Sequence, residues 1–246
     1  MKRPIEWQIA TVKAVGQETP KVKSFTLALP NWIPHHAGQH YDVRLTAADG
    51  YQAQRSYSIA SEPERAGEID ITVERLEDGE VSTYLHDTLV PGDLVEVRGP
   101  IGGYFVWEAM MGGPLLLIGG GSGVAPLMSM IRHRAAAGSK IPTRLLYSSR
   151  APVEVIYRGE LEKLSAAGTG LEIIHTFTRV QPLGWTGYAR RIDDRMLGEV
   201  VRPLGKNPQA FICGPTLLVE AAADGLIKAG VKSSQIRTER LGPSGA

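Results

Sequence analysis

Short stretches of this chain hold residues whose types and spacing can do chemistry. The first is FICGP, residues 211–215, where the only cysteine, Cys213, closes an apolar run before a Gly-Pro break. A buried free thiol packs as a small hydrophobe, whereas the carboxyl end of a strand is where α/β sheets hold ligands. The pentapeptide alone allows both readings. The second is GGGSGVAPLMSMI, in which Gly121-x-Gly123-x-x-Pro126 follows an apolar run. Such a loop lets the backbone approach a pyrophosphate, whose charge suits a helix N-terminus. Pro126 loses no hydrogen bond in a first helical turn. A plain tight turn is the alternative. The third is QRSYSIAS, where period-2 alternation sends Arg55 and Tyr57 to one face and Ser56 and Ser58 to the other. A cation beside an aromatic ring can hold a phosphate and a flat ring together; a surface cross-strand pair gives the same pattern. His36 and His40 are four apart, but Pro34 and Gly38 argue against a helix, and no metal site is expected.

These stretches need elements to position them. Over residues 5–108, WQIATVKAV, VKSFTLAL, YDVRLTA, RSYSIAS, GEIDITVERL and DLVEVRGP are short, β-branched and separated by Gly, Pro and Asp turns, the grammar of an antiparallel barrel or sandwich. GEVSTYLHDTLV interrupts them with apolar residues at helical spacing and predicts one short helix. From residue 114 the grammar changes. PLLLIGG, TRLLYSS, LEIIHTFT, AFICG and SQIRTERL alternate with helical stretches PLMSMIRHRAAAG, EVIYRGELEKLSAAG and TLLVEAAADGLIKAG, and a looser region containing RMLGEVVRPLG lies between LEIIHTFT and AFICG. Alternating strands and helices imply parallel βαβ units with buried strands. The expected architecture is an antiparallel six-stranded barrel, residues 1–108, followed by a five-stranded α/β domain, residues 109–246.

Composition agrees with a folded, two-part chain. Its 246 residues are 43% hydrophobic and 22% charged, enough for a real core and too apolar for disorder. Net charge is +1, unevenly spread: residues 1–100 carry 10 Lys/Arg and 15 Asp/Glu, net −5, and residues 101–246 carry 17 and 11, net +6. The second half therefore favours an anion. Its basic residues are scattered, with few aromatics between them, so no nucleic-acid surface is expected. HRAAAGSK and YARRIDDR read as solvated faces, or as patches that steer an acidic electron carrier. One cysteine cannot form an intrachain disulfide or ligate an iron–sulfur cluster alone. The start, MKRPIEWQIATVKAV, has no apolar core of a signal peptide, and no apolar run reaches the roughly 18 residues of a membrane span. A cytoplasmic protein without membrane insertion is expected.

Taken in order, RSYSIAS, GEVSTYL, GPIGGYF, GGGSGVAP, YSSR, ICGP and IRTERLG resemble the ferredoxin–NADP reductase family of flavoproteins over nearly the whole chain. The resemblance implies an FAD-holding barrel, a nucleotide-binding α/β domain, and electron flow from NAD(P)H through FAD to a separate iron–sulfur or haem protein. It implies that Arg55 neutralises the FAD pyrophosphate, that Tyr57 packs on the isoalloxazine and that Ser58 sits near the flavin atom where hydride arrives. Val73 and Arg75 would line the flavin. Gly79, Val81 and Ser82 would offer backbone N–H groups and a hydroxyl to its phosphates. Gly121, Gly123 and Pro126 would cradle the nicotinamide dinucleotide, with Cys213 beside the nicotinamide and Glu239 close to the same centre. In this context Cys213 reads as a positioning residue. The alternatives are a flavin reductase acting directly on small molecules and a regulatory flavin-binding subunit.

Two departures from the family stand out. Relatives often end in an aromatic residue that covers the flavin, where this chain has Leu241 before GPSGA. Many also carry a cysteine-rich iron–sulfur domain; this chain shows no such segment, so a separate acceptor is expected. Coenzyme choice is read from YSSR after the second α/β strand, with no carboxylate until Glu154. Ser149, Arg150, Arg158 and Arg179 could converge on the 2′-phosphate of NADPH. The competing reading leaves Arg150 solvated and pairs Arg158 with Glu154 or Glu162 at i±4 spacing. NADPH is the expected coenzyme, with NADH possible.

Overall fold

Strand β1 (Gln8–Thr19) begins a sheet whose inward positions are short apolar residues, Ala10 and Val12 among them, both buried. It pairs antiparallel with β2 (Val22–Ala28) and with β6 (Leu94–Ile101). With β3 (His40–Thr46), β4 (Gln52–Ser58) and β5 (Glu68–Glu74) the sheet has six strands in the order β4-β3-β6-β1-β2-β5. Its two edges meet where Ile59 bridges Ile71 and the Ala60 N–H donates to Asp70 O at 2.8 Å, which curls the sheet into a barrel. Phe25, Leu27, Tyr41, Val43, Ile69 and Ile71 fill its interior. The predicted short helix is α1 (Glu80–Asp87), which buries Val81 and Leu85 against that interior. The computed structural model describes residues 5–205 and 207–241; the terminal GPSGA lies outside them.

The second sheet is fully parallel, in the order β11-β10-β7-β8-β9. Its central strand β7 (Leu115–Gly120) is buried at every position, as a strand covered on both faces must be. β8 (Thr143–Ser149), β9 (Leu171–Phe177), β10 (Gln209–Pro215) and β11 (Ile236–Leu241) complete it. Helix α4 (Asp194–Val201), capped by the Asp193 side chain, forms in the stretch read as looser, while α2 (Val124–Ala136) and α5 (Thr216–Lys228) fall where the periodicity puts them.

One helix does not. The sequence predicts a helix through EVIYRGELEKLSAAG, but α3 is only Arg158–Ala166. Tyr157 ahead of it stands at φ 58, a left-handed conformation that ends any helical run. Its phenol bonds Thr72 in the barrel, and its N–H donates to Glu18 Oε2 at 3.2 Å. Contacts to the barrel thus override local helix propensity. The two halves share more than this residue. Ala37, Ala60, Phe105 and Trp107 from the barrel side belong to the same buried cluster as the α2 face of the parallel sheet. Arg132 on α2 donates to Ala60 O at 2.8 Å, and Ser129 donates to Ser61 O at 2.6 Å.

Candidate functional site

On β4 the expected alternation is present. Arg55 and Tyr57 share a face with Ala53, while Ser56 turns away and donates to Asp42 at 2.6 Å. Tyr57 packs on the barrel core and remains half-buried; burial pushes its phenol well above the ordinary value, so it is neutral. The Arg55 guanidinium donates to the Gln54 carbonyl at 2.6 Å and pairs with no carboxylate among the described residues. Ser58 ends the strand opposite His40, whose imidazole burial holds below its usual pKa.

Val73 is fully buried on β5. Arg75 follows it, and its guanidinium grips both oxygens of Asp87 at 2.8–3.1 Å. The side chain expected to line a flavin is therefore engaged with the last residue of α1, because the β5–α1 turn brings the two ends together. Helix α1 starts directly after Gly79 with no side-chain cap. The N–H groups of Glu80, Val81 and Ser82 have no acceptor within the helix. Ser82 is also arranged differently from expectation. Its hydroxyl donates to Gly79 O at 3.3 Å and accepts from the Leu76 N–H at 3.2 Å, so it braces the loop, and the backbone N–H groups are the donors left open.

The glycines of the second loop do different jobs. Gly121 stands at φ 55 with nothing within 4 Å of where a Cβ would sit, an open left-handed turn. Gly123 is packed shut: a Cβ there would meet the Cys213 carbonyl oxygen at 2.3 Å. The missing side chain is what lets the loop rest on β10. Pro126 is buried in the first turn of α2. Between the glycines, Ser122 donates to Glu74 Oε2 at 2.7 Å, which ties the loop to the end of β5. Tyr147 donates to Gly121 O at 3.1 Å from below.

Cys213 lies on β10 between Gly119 of β7 and Glu239 of β11 in register. It is wholly buried in the apolar cluster, and burial, with Glu239 beside it, raises the thiol well above its usual pKa. Glu239 has one carboxyl oxygen, Oε2, buried without a partner, and burial raises its pKa to about 7. The structure thus brings a neutral thiol and a carboxylic acid together on neighbouring strands.

The expected 2′-phosphate group assembles only in part. Ser149 ends β8 with its hydroxyl buried and unpartnered. The Arg179 N–H donates to Arg150 O at 3.0 Å, so the two loops are adjacent, and the Arg179 side chain is exposed with no ion pair among the described residues. Arg150, however, pairs with Glu154 at 2.7 Å and Arg158 with Glu162 at 3.0 Å. Because Tyr157 breaks the helix, Glu154 and Arg158 do not share one, and the Glu154–Arg158 pairing is absent.

The sequence missed Glu74, Tyr157 and Arg132 as joints between the halves; the Glu74 position inside TVERL was its only pointer. The two basic stretches also read differently in three dimensions. Arg134 is 2% exposed and donates to Ile141 O at 2.9 Å, His133 contacts Glu64 at 2.7 Å, and Arg195 pairs with Glu199 at 3.0 Å. Most of those cations are internally matched, so neither stretch is an open basic face. Two cavities of about 620 and 460 Å³ lie beside His175 and Trp185 and between Tyr104 and Arg237; none of the expected site residues lines either.

An unpaired guanidinium beside a half-buried ring, next to open N–H groups at a helix start, fits the phosphates and ring of a flavin. An open glycine turn with an orphaned hydroxyl and an orphaned carboxyl oxygen at the carboxyl ends of parallel strands fits a dinucleotide. Comparison with known proteins agrees. Residues 9–106 match the oxidoreductase FAD-binding domain family, and residues 117–224 match the oxidoreductase NAD-binding domain family. The chain is 33% identical over 243 residues to ferredoxin–NADP reductase B of Sorangium cellulosum, covering 96% of this chain and 97% of that one. It is 31% identical over 240 residues to the glycine betaine monooxygenase reductase subunit of Pseudomonas aeruginosa, of which it spans 64%. A solved ferredoxin NADP+ reductase from Neisseria gonorrhoeae with bound FAD and NADP superposes with a TM-score of 0.82 at 21% identity, over 95% of this chain and 98% of that one. At that identity the likeness is one of fold. No helix among the described residues is long and apolar enough to cross a membrane.

Proposed function

The chain belongs to the ferredoxin–NADP reductase family of flavoproteins, and from that we propose that it takes electrons from NAD(P)H onto FAD and hands them to a separate iron–sulfur or haem protein. Residues 1–108 would hold the flavin and residues 109–246 the coenzyme. FAD, when bound, supplies the conversion of one two-electron donor into single-electron steps. The remainder is work for this chain's own side chains. Arg55 and the open N–H groups of Glu80, Val81 and Ser82 hold the flavin phosphates, and Gly79 leaves the Ser82 hydroxyl room to brace the loop. Tyr57 packs on the flavin ring, Val73 backs it, and Ser58 stands at its reactive edge. The Arg75–Asp87 pair fixes the β5–α1 turn. Gly121 and the start of α2 at Pro126 receive the coenzyme, and Gly123 seats that loop on β10.

Cys213 positions the nicotinamide without charge; a buried thiol with a raised pKa is a poor nucleophile. The Glu239 carboxyl, its pKa raised by burial to about 7, can hold a proton below neutral pH and release it as the pH passes neutral. NADPH is the proposed coenzyme, supported by the unpartnered Ser149 hydroxyl, the unpaired Arg179 and the net charge of +6 over residues 101–246 (17 Lys/Arg against 11 Asp/Glu).

The observation that carries this reading is the hydrogen bond from Ser122 to Glu74, which makes the flavin strand and the coenzyme loop parts of one site. The test is anaerobic titration of the purified yellow protein with NADPH, followed by a one-electron acceptor protein. Bleaching of the flavin and its return on adding the acceptor are expected. A flavin that never bleaches would point to a regulatory flavin-binding subunit. Reoxidation by small molecules alone would point to a flavin reductase.

A further inference from the structure

We propose that Tyr157 is a positioning residue for electron transfer from coenzyme to flavin, because it fixes the glycine turn of the coenzyme loop against strand β5 of the barrel. The inference rests on the function proposed above and adds to it a buried residue that lies outside both glycine loops. Tyr157 stands at φ 58 and ψ 24, the only non-glycine residue with positive φ among the described residues. A bulky residue is strained there, and such strain persists only where the surroundings over-determine it. Glycine would take this conformation freely, so the ring and its hydroxyl are what the position retains.

The surroundings form a closed ring of hydrogen bonds. The Tyr157 N–H donates to Glu18 Oε2 on β1 at 3.2 Å, and the phenol bonds Thr72 on β5. Ser24 on β2, the register partner of Thr72, donates to Glu18 Oε1 at 2.8 Å and lies 3.0 Å from the Thr72 hydroxyl. Each hydroxyl has one proton to give. Ser24 gives its own to Glu18, so Thr72 donates to Ser24 and Tyr157 donates to Thr72. Burial raises the phenol pKa, which keeps that proton in place. One residue of the coenzyme half is fastened by main chain and side chain to three barrel strands, with every donor directed toward one carboxylate.

The other side of Tyr157 leads to the coenzyme loop. Its neighbour Ile156 donates an N–H to the Tyr147 hydroxyl at 3.2 Å, and that hydroxyl donates to Gly121 O at 3.1 Å. Gly121 is the open turn proposed to receive the coenzyme. Ser122 beside it bonds Glu74, two residues beyond Thr72 on the same strand. The loop therefore has two ties to β5, one direct and one through Tyr147 and Tyr157. One tie lets the loop pivot, and two fix its orientation. Val73, the β5 residue proposed to back the flavin, lies between the two anchor points. Transfer is steep in such placement, since an error of about 1 Å can cost about a hundredfold in rate.

The experiment uses Tyr157→Phe, which keeps the ring and removes the bond to Thr72, and Thr72→Val, which removes the same bond from the barrel side. Hydrogen exchange of the flavin-free full chain reads the coenzyme loop, residues 119–124, with no cofactor involved. Exchange there should rise about threefold to tenfold in both variants. Stopped-flow reduction of the FAD-loaded variants by NADPH should slow by about tenfold at saturating coenzyme, with KM changed by less than about twofold. The double variant should be no slower than either single one, because both remove one bond. Should Tyr157→Phe fail to fold, Thr72→Val carries both measurements. Faster exchange confined to residues 72 and 155–158, or flavin reduction at the wild-type rate, would overturn the role of Tyr157 alone. A wild type whose flavin neither NADPH nor NADH reduces overturns the proposed function, and the positioning role with it.

Discussion

The two halves of the site treat their charged groups in opposite ways. On the barrel, Arg55 has no carboxylate partner among the described residues, and α1 opens without a side-chain cap. On the parallel sheet, two of the three arginines near the proposed 2′-phosphate place, Arg150 and Arg158, are already paired with Glu154 and Glu162, which leaves only Arg179 open among the described residues, while Cys213 and Glu239 sit buried and uncharged below neutral pH. A cation left unmatched on a folded surface is held ready for an anion that stays, because that anion completes its hydrogen bonds. A site whose cations are matched from within loses little when its ligand departs. On the proposed function, the barrel would suit a resident group and the sheet a visiting one.

The contrast can be broken most severely at the loop joining the halves. Gly123→Ala drives a methyl into the Cys213 backbone and should cost at least ~3 kcal/mol, the upper end for overpacking, whereas Gly121→Ala meets open space and should cost ~1–2 kcal/mol from its positive φ. Urea unfolding of both variants measures this. Equal costs would mean that the loop does not rest on β10 as described.

Burial of Glu239 gives the sheet half its own pH dependence. The folded pKa is raised from 4.5 to about 7. Between those values the unfolded chain releases the proton and the folded chain keeps it, so stability falls as pH rises through that window. It levels off above about 7. The full effect is at most ~3 kcal/mol. Glu239→Gln should flatten that slope between pH 4.5 and 7. A variant with the wild-type slope would show that another group titrates there.

The barrel half is sharpened by Arg55→Ala, which should weaken FAD retention by ~1.5–3 kcal/mol, the value of a charge-assisted contact, with NAD(P)H binding unchanged. Ser82→Ala should weaken it less, because that hydroxyl bonds the loop backbone. Full flavin occupancy and an unchanged dissociation constant in Arg55→Ala would remove β4 from the phosphate seat.

The smallest expected effects concern coenzyme choice. Arg179→Ala should lower kcat/KM for NADPH by roughly tenfold and leave NADH alone, as loss of one phosphate contact predicts. Arg150→Ala should do less, since Glu154 holds that side chain, and Glu154→Gln should raise the NADPH preference by freeing it. Equal changes with both coenzymes would place the 2′-phosphate elsewhere.

These experiments turn on features that were unequally legible beforehand. The row of Arg55 and Tyr57, the short helix after Gly79 and the glycine turn after β7 all follow from spacings of two to four residues, which backbone geometry enforces wherever the segment lies. Strand and helix order were readable for the same reason, except at Tyr157 and at α4, which was read as a looser region. The site was less so. The sequence reading left Arg150 solvated and offered Arg158 two carboxylates at the same spacing, and rotamers and packing gave Glu154 to Arg150 and Glu162 to Arg158.

By itself, then, the sequence determined which elements form, which β4 side chains stand together, and that the glycine loop precedes a helix, because each depends on near neighbours in the chain. Tertiary structure alone decided that Gly123 must be bare for Cys213, that Ser122 would find Glu74, that Tyr157 would leave its helix for Thr72, and that the Glu239 carboxyl would lose its water. Each of these joins residues 26 to 90 positions apart. Such contacts come from strands and loops that the fold brings together from distant parts of the chain, and no local spacing encodes them.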